Sequence, residues 1–298
     1  MLILISMSRS RQNHTKNKTC DHLIKFGNEF YDKQMLFHGY GKSYSMVMHE
    51  KTGDLYFSHV SRSDDFDNRE IMACHIKEET CRSVEGISGG FAVAYEKETD
   101  ELFFGGNDGV YQYDFSEKVA KRIGVNGKMI YGVAIAGKYF FFIVYPKKAL
   151  YIVKDRDFKH PLKFLDAEVE NILLTKSLNV YLSNMTALYK IEPPHGPTKK
   201  LIVIDDQFHV RQLVKKINGS VYICTFEGIY ETNETSRKAV KVCDLDKPFG
   251  MAFYESMILY SDEHAIHSLV LSNDYECINK SLADMDILRS RFSVMLEL

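Results

Sequence analysis

The chain has 298 residues, 45% hydrophobic and 26% charged, with Tyr 18 and Phe 19, a composition that can fill a core and excludes a disordered protein. Lys+Arg 38 against Asp+Glu 40 leaves a formal charge of -2, so no cationic excess exists to bind phosphate backbones, and no nucleic-acid partner is expected. No apolar run approaches the roughly 18 residues of a membrane-spanning helix, and Trp 0 argues against WD-type repeats.

The chain opens Met1-Leu2-Ile3-Leu4-Ile5-Ser6-Met7 and only then turns basic. A secretory leader has the reverse order and a longer apolar stretch, so residues 1–19 read as an atypical leader or a disordered N-terminus. Leu23 to Leu36 follows as a strand-forming segment outside any repeat. A repeated unit then begins: an opening residue, a short apolar strand, a turn, a second strand rich in aromatic and aliphatic residues, another turn and a third strand. Its first copy is Tyr44-Ser-Met-Val-Met-His-Glu-Lys-Thr-Gly-Asp-Leu-Tyr-Phe-Ser58. Later copies open at Phe91, Tyr131, Asn171, Arg211 and Phe249, at intervals of 38 to 47 residues. Segments before each opening, such as Ala120 to Val125 and Ala239 to Cys243, supply a fourth strand.

A period near 40 with four short strands per unit predicts propeller blades. The expected fold is therefore all-β: a six-bladed β-propeller over residues 20–278, closed by the Leu23–Leu36 strand completing the sixth blade. Residues 279–298 form a C-terminal tail. Within it Leu282, Met285, Leu288, Phe292 and Met295 recur at helical spacing, which predicts a short helix.

Six cysteines are present without any Cys-x-x-Cys, so zinc ligation is not expected. Cys74 and Cys81 flank a hairpin and could pair. Cys20 and Cys277 come together if the N-terminal strand closes the ring. Cys224 and Cys243 fall on strands separated by a third, which makes a bond between them doubtful. Sequons occur at Asn13, Asn17, Asn184, Asn218, Asn233 and Asn279, against about 1.4 expected by chance. Asn184, Asn218 and Asn233 are the candidate glycosylation sites. These counts point to a secreted, extracellular protein.

Chemistry is sought at the propeller axis, where the innermost strands begin. Tyr44, Phe91, Tyr131, Asn171, Arg211 and Phe249 offer four rings, an amide and a guanidinium. Such a set stacks on a flat conjugated molecule, with Arg211 meeting a carboxylate and Asn171 fixing orientation. Tyr145 and Asn107 join them from loops at the same mouth, with His59, Arg62, Asn184, Phe226 and Asp262 nearby. No catalytic motif and no metal-ligand set is found.

The repeats resemble those of the ommochrome-binding proteins, or yellow chromoproteins, of moth and butterfly haemolymph. The resemblance is carried by Ser43 to Ser58, by Gly89-Gly-Phe-Ala92 with Gly105-Gly-Asn-Asp-Gly-Val-Tyr-Gln-Tyr-Asp114, and by Phe249-Gly-Met-Ala-Phe253 with Ile258-Leu-Tyr-Ser-Asp262. Cys20 with Phe26-Gly-Asn-Glu-Phe-Tyr-Asp-Lys33 looks like that family's mature start. The resemblance implies a secreted, non-enzymatic carrier whose ligand is an ommochrome, a tricyclic, tryptophan-derived pigment with carboxyl and amino-acid groups. No cofactor beyond that pigment, no membrane association and a monomeric state are expected. The alternative is a calcium-dependent lactonase or esterase, which six-bladed propellers also host. Glu170, Asp108 and Asp262 are its nearest candidate carboxylates.

Overall fold

The computed structural model describes residues 20–60, 69–192, 201–207, 209–216, 218–233, 235–236 and 238–295, the side chains of Asp166 and residues 286–295 excepted. Residues 1–19, and with them Asn13, Asn17 and the expected leader, lie outside the described residues, as does Arg62. The described residues of Ile24–Ser272 form one compact unit, and residues 20–23 with 273–295 belong to a second.

Short β-branched and aromatic runs bounded by Gly, Asn, Asp and Lys turns become strands. Two N-terminal strands, β1 (Leu23–Phe26) and β2 (Glu29–His38), precede four separate antiparallel sheets. These contain β3 (Tyr44–His49) to β6 (Thr80–Ser83) through β4 (Asp54–Val60) and β5 (Arg69–His75), then β7 (Ala92–Glu96), β8 (Glu101–Gly106), β9 (Gly109–Asp114) and β10 (Val119–Gly124). The third holds β11 (Ile130–Ala136), β12 (Tyr139–Val144), β13 (Ala149–Lys154) and β14 (Leu162–Glu168). The fourth holds β15 (Asn171–Leu174), β16 (Val180–Ser183), β17 (Leu188–Ile191) and β18 (Leu201–Asp205).

The remaining strands are β19 (Val210–Lys215), β20 (Val221–Thr225), β21 (Gly228–Thr232), β22 (Val240–Cys243), β23 (Gly250–Tyr254), β24 (Met257–Ser261) and β25 (Ala265–Leu271). They do not form two independent sheets. A nine-stranded sheet runs β19-β20-β21-β22-β1-β2-β25-β24-β23. The expected single strand Leu23–Leu36 is a hairpin, because Gly27 takes a left-handed φ of 62° and turns the chain. Its second arm, β2, pairs with β25 from Tyr31↔Leu271 to His38↔Ala265. The first arm reaches β22 at Phe26↔Cys243.

The unit is an all-β, propeller-like fold. Innermost strands β3, β7, β11, β15, β19 and β23 each neighbour the next, and β23 neighbours β3. Apolar clusters fill the gaps between consecutive four-strand groups. Tyr56, Ile71, Phe104 and Tyr113 lie in one, Phe103, Phe140 and Phe142 in the next, and Phe37, Met46, Leu55, Leu259 and Ile266 join last to first. Each fully buried ring contributes about 2 to 3 kcal/mol by leaving water, so the sheets hold one another face to face.

Cys74 and Cys81 sit directly opposite on β5 and β6 and form a disulfide. Cys224 and Cys243 are free and buried, on strands separated by β21. In the second unit Cys20 is bonded to Cys277. Its helix α1 (Tyr275–Met295) starts six residues before the expected Ser281, inside the stretch assigned to the propeller. Asp274 is the reason: its Oδ1 accepts from the Cys277 amide at 3.2 Å and caps the first turn.

Candidate functional site

Strand pairing decides where the opening side chains go. At the opening end of each first strand the ladder with the second strand begins at Tyr44↔Ser58, Ala92↔Gly105, Ile130↔Val144, Asn171↔Ser183, Val210↔Thr225 and Gly250↔Ser261. The six opening residues are therefore not equivalent: Phe91 and Phe249 lie one position earlier, Tyr131 and Arg211 one later. Two β-bulges make the later pair. Ile130↔Val144 is followed by Gly132↔Ile143, and Val210↔Thr225 by Gln212↔Cys224, so Tyr131 and Arg211 are the unpaired extra residues. A third irregularity follows Tyr44 in β3. Bulges re-aim side chains, and here they turn a ring and a guanidinium out of the ladder.

Around Arg211 aromatic rings and cations alternate. Its guanidinium lies 3.4 Å from the Phe226 ring centroid and 3.8 Å from that of Phe249. Phe249 meets Tyr44 edge to face at 5.4 Å, and Arg69 covers Tyr44 at 4.7 Å. Arg211 Nη1 donates to the carbonyls of Lys247 and Pro248, both at 3.1 Å. Burial pulls its pKa down, with Tyr44 and Cys224 acting the other way. No carboxylate pairs with Arg211 among the described residues.

Tyr131 stands under Lys148, whose Nζ is 5.7 Å from the ring and forms an ion pair with Glu170. Burial and the Glu170 charge raise the Tyr131 pKa, while Lys148 and Arg69 oppose them, and Tyr44 adds to the rise. The Tyr145 ring is 6.4 Å from that of Tyr131. Tyr145, Met185 and Phe226 are 37%, 60% and 43% exposed on loops of three consecutive sheets or meanders, an apolar rim beside the cations. His209 links two of those loops, with Nδ1 3.3 Å from the Met185 carbonyl and its ring 5.2 Å from Phe226.

Asn171 and Phe91 play other parts. Asn171 Nδ2 donates to Ser183 Oγ at 3.1 Å and to the Val210 carbonyl at 2.9 Å, fastening one opening to the next. Ser58 Oγ does the same to Gly90 at 2.6 Å, and Ser261 Oγ to Ser43 at 2.7 Å. Phe91 is buried in the core. Asn107 packs on Gly89, where a Cβ would come 2.5 Å from its Nδ2, and its buried Oδ1 has no hydrogen-bond partner among the described residues. Asn184 and Asp262 cap turns. His59, beside Tyr40 at 5.3 Å, carries a buried Nδ1 without a hydrogen-bond partner among the described residues.

Gln212 gave no sequence signal and crosses the closing seam. Its Oε1 accepts from the amides of Met46 (3.2 Å) and Met251 (3.0 Å), and its Nε2 donates to the Met46 carbonyl at 2.9 Å. One side chain thereby joins β19, β23 and β3. The opposite end of the innermost strands is charged: Glu98, after β7, pairs with Lys176, after β15, at 2.7 Å. Buried Glu96 ends β7 and half-buried Lys215 ends β19.

No family model matches the chain. Ommochrome-binding protein of Manduca sexta is 24% identical to it over 247 residues, covering 80% of this chain and 88% of that protein. In sequence the chain is similar to ommochrome-binding protein. Among solved structures it is similar to the gluconolactonase XC5397 of Xanthomonas campestris (TM-score 0.63, 10% identity, 83% of this chain and 91% of that one). A putative gluconolactonase gives 0.65 at 10% identity over 84% and 98% of the two chains. Regucalcin of Agrobacterium tumefaciens, a calcium-binding protein, gives 0.62 at 12% over 80% and 93%. At these identities the likeness is one of fold.

A calcium ion needs six to eight converging oxygens, and the three carboxylates expected for it are each engaged by another side chain. Glu170 is held by Lys148, Asp108 by Arg122 and Tyr111, and Asp262 by His267 at 2.6 Å. The cluster of three potential donors among the described residues, His22, Asp274 and Cys277, lies in the second unit, and its sulfur is spent in a disulfide.

Proposed function

We propose that the chain is a non-enzymatic, secreted carrier of a planar, acidic aromatic molecule of the ommochrome class, held at the mouth where the innermost strands begin. The nine-stranded sheet is read as two blades sharing a hairpin, which makes the fold a six-bladed propeller acting as a monomer. The observation that carries the binding site is the half-buried Arg211, set out by a bulge and stacked between two rings. Burying a charge costs free energy that an anion offsets. A ligand carboxylate beside Arg211, with rings against Phe226, Tyr145 and Tyr131, meets both needs of the site. Tyr44, Phe249, Arg69 and Lys148 back this wall, Asn171 fixes its backbone, and Asn107 offers an unengaged amide oxygen. Phe91 supports it from the core.

Titration with a purified ommochrome, followed by absorbance, tests the site. Arg211→Ala weakens binding by about tenfold or more, the loss expected for one charge-assisted hydrogen bond. Unchanged affinity in both Arg211→Ala and Tyr131→Ala would remove the mouth as the site.

The second reading, a calcium-dependent lactonase or esterase, draws its support from the gluconolactonase and regucalcin folds. Calorimetric heat on adding calcium, together with lactone turnover, would favour it over the carrier.

A further inference from the structure

The four sequons among the described residues differ in what the fold does with them. Asn218, exposed, lies between β19 and β20, and its Oδ1 accepts from the Ser220 amide at 3.1 Å. Asn233, also exposed, lies between β21 and β22; its Oδ1 accepts from the Thr235 amide at 2.9 Å and the Thr235 hydroxyl at 2.8 Å. Both are Asx turns, which bring the asparagine amide beside the hydroxyl residue two positions on. The Nδ2 of each carries no hydrogen bond to the described residues.

Asn184 is only half exposed. It makes the same Asx turn, its Oδ1 accepting from the Thr186 amide (3.0 Å), the Thr186 hydroxyl (3.3 Å) and the Ala187 amide (2.8 Å), but its Nδ2 is already committed to Tyr189 Oη at 3.3 Å. It also stands in the mouth, next to the exposed Met185. Asn279 lies inside α1, where the helical ladder takes the amide an Asx turn would need.

Chain direction places these sites. In an antiparallel meander the turn after the first strand and the loop after the third lie at one edge. The strand opening and the loop after the second strand lie at the other. Asn218 and Asn233 thus share one edge of the β19–β22 meander, while Arg211, Phe226 and, in the neighbouring sheet, Asn184 occupy the mouth edge.

We propose that Asn218 and Asn233 are N-glycosylated, that Asn184 is not, and that the carbohydrate stands on the face opposite the ligand mouth. The donor is a lipid-pyrophosphate-linked oligosaccharide. The amide nitrogen attacks its first anomeric carbon, the N–C bond forms, and the C–O bond to pyrophosphate breaks. The lipid pyrophosphate leaves and the amide gives up one of its protons. Glycans on this edge shield the charged Glu98–Lys176 end and leave the rim of Tyr145, Met185 and Phe226 open.

The test uses the full chain secreted from eukaryotic cells behind a cleavable leader, so that entry into the glycosylating compartment is assured. Enzymatic deglycosylation in heavy-oxygen water converts each occupied asparagine to labelled aspartate, read by peptide mass spectrometry. Label at Asn218 and Asn233 with none at Asn184 is the expected result. Absence of label at either of the first two, or label at Asn184, overturns the proposal.

Discussion

Arg211 and Gln212 are adjacent, and the bulge between them gives them opposite tasks. One faces the mouth with its charge unpaired by any described carboxylate; the other is buried and satisfies three backbone groups across the seam. Removing the amide strands those groups away from water at about 1 to 3 kcal/mol each before relaxation. Gln212→Ala is expected to lower unfolding free energy by about 2 to 4 kcal/mol in urea titration, with the unfolding slope unchanged. Glu96 sets a pH dependence. Burial, with the Glu98 carboxyl beside it, raises its pKa from 4.5 to about 7. The folded state then holds a proton that the unfolded chain releases, so this stabilisation is present below the unfolded value and is lost as pH rises toward 7. Glu96→Gln keeps the shape and cannot titrate. Its urea midpoint relative to the native chain is expected to rise between about pH 5 and pH 8; parallel profiles would refute the assignment.

At the level of strands, the openings combine bulges with polar fasteners. Tyr131 and Arg211 are the residues that the ladder leaves out, while Ser58, Ser261 and Asn171 bond to the backbone opening the next group. Gly250 sits beside one of these fasteners, between β3 and Gln212. A Cβ there would lie 2.7 Å from the Ser43 carbonyl and 2.8 Å from Gln212 Oε1. Gly250→Ala therefore pushes β23 away from β3, at an expected cost of about 1 to 3 kcal/mol measured by thermal or urea unfolding. The spacing of openings was legible in the sequence; their offsets by one position were not. A bulge leaves one residue out of the ladder without changing the spacing of the apolar runs, so the pattern along the chain does not mark it.

For the whole molecule, closure decides stability. Strand β2 seals β25, and the Cys20–Cys277 bond joins positions 257 residues apart, whereas Cys74–Cys81 spans 7. Constraining an unfolded loop of the longer kind stabilises by about 5 kcal/mol, the shorter by about 2. Cys20→Ser should lower the unfolding temperature much more than Cys81→Ser in calorimetry, and equal losses would count against an effect of loop length.

The sequence by itself determined the repeat, the strand-forming composition and the cysteine pairs worth considering. These are local properties, set by turn residues, alternation and spacing. Only the tertiary structure decided that the N-terminal segment is a hairpin bridging two strand groups, that Asn171 is a fastener and Phe91 core, and that Gln212 spans the seam. Each of those outcomes depends on a neighbour brought close by ring closure, and hydrogen-bond satisfaction in a buried seam is a property of the assembled sheets rather than of any stretch of chain.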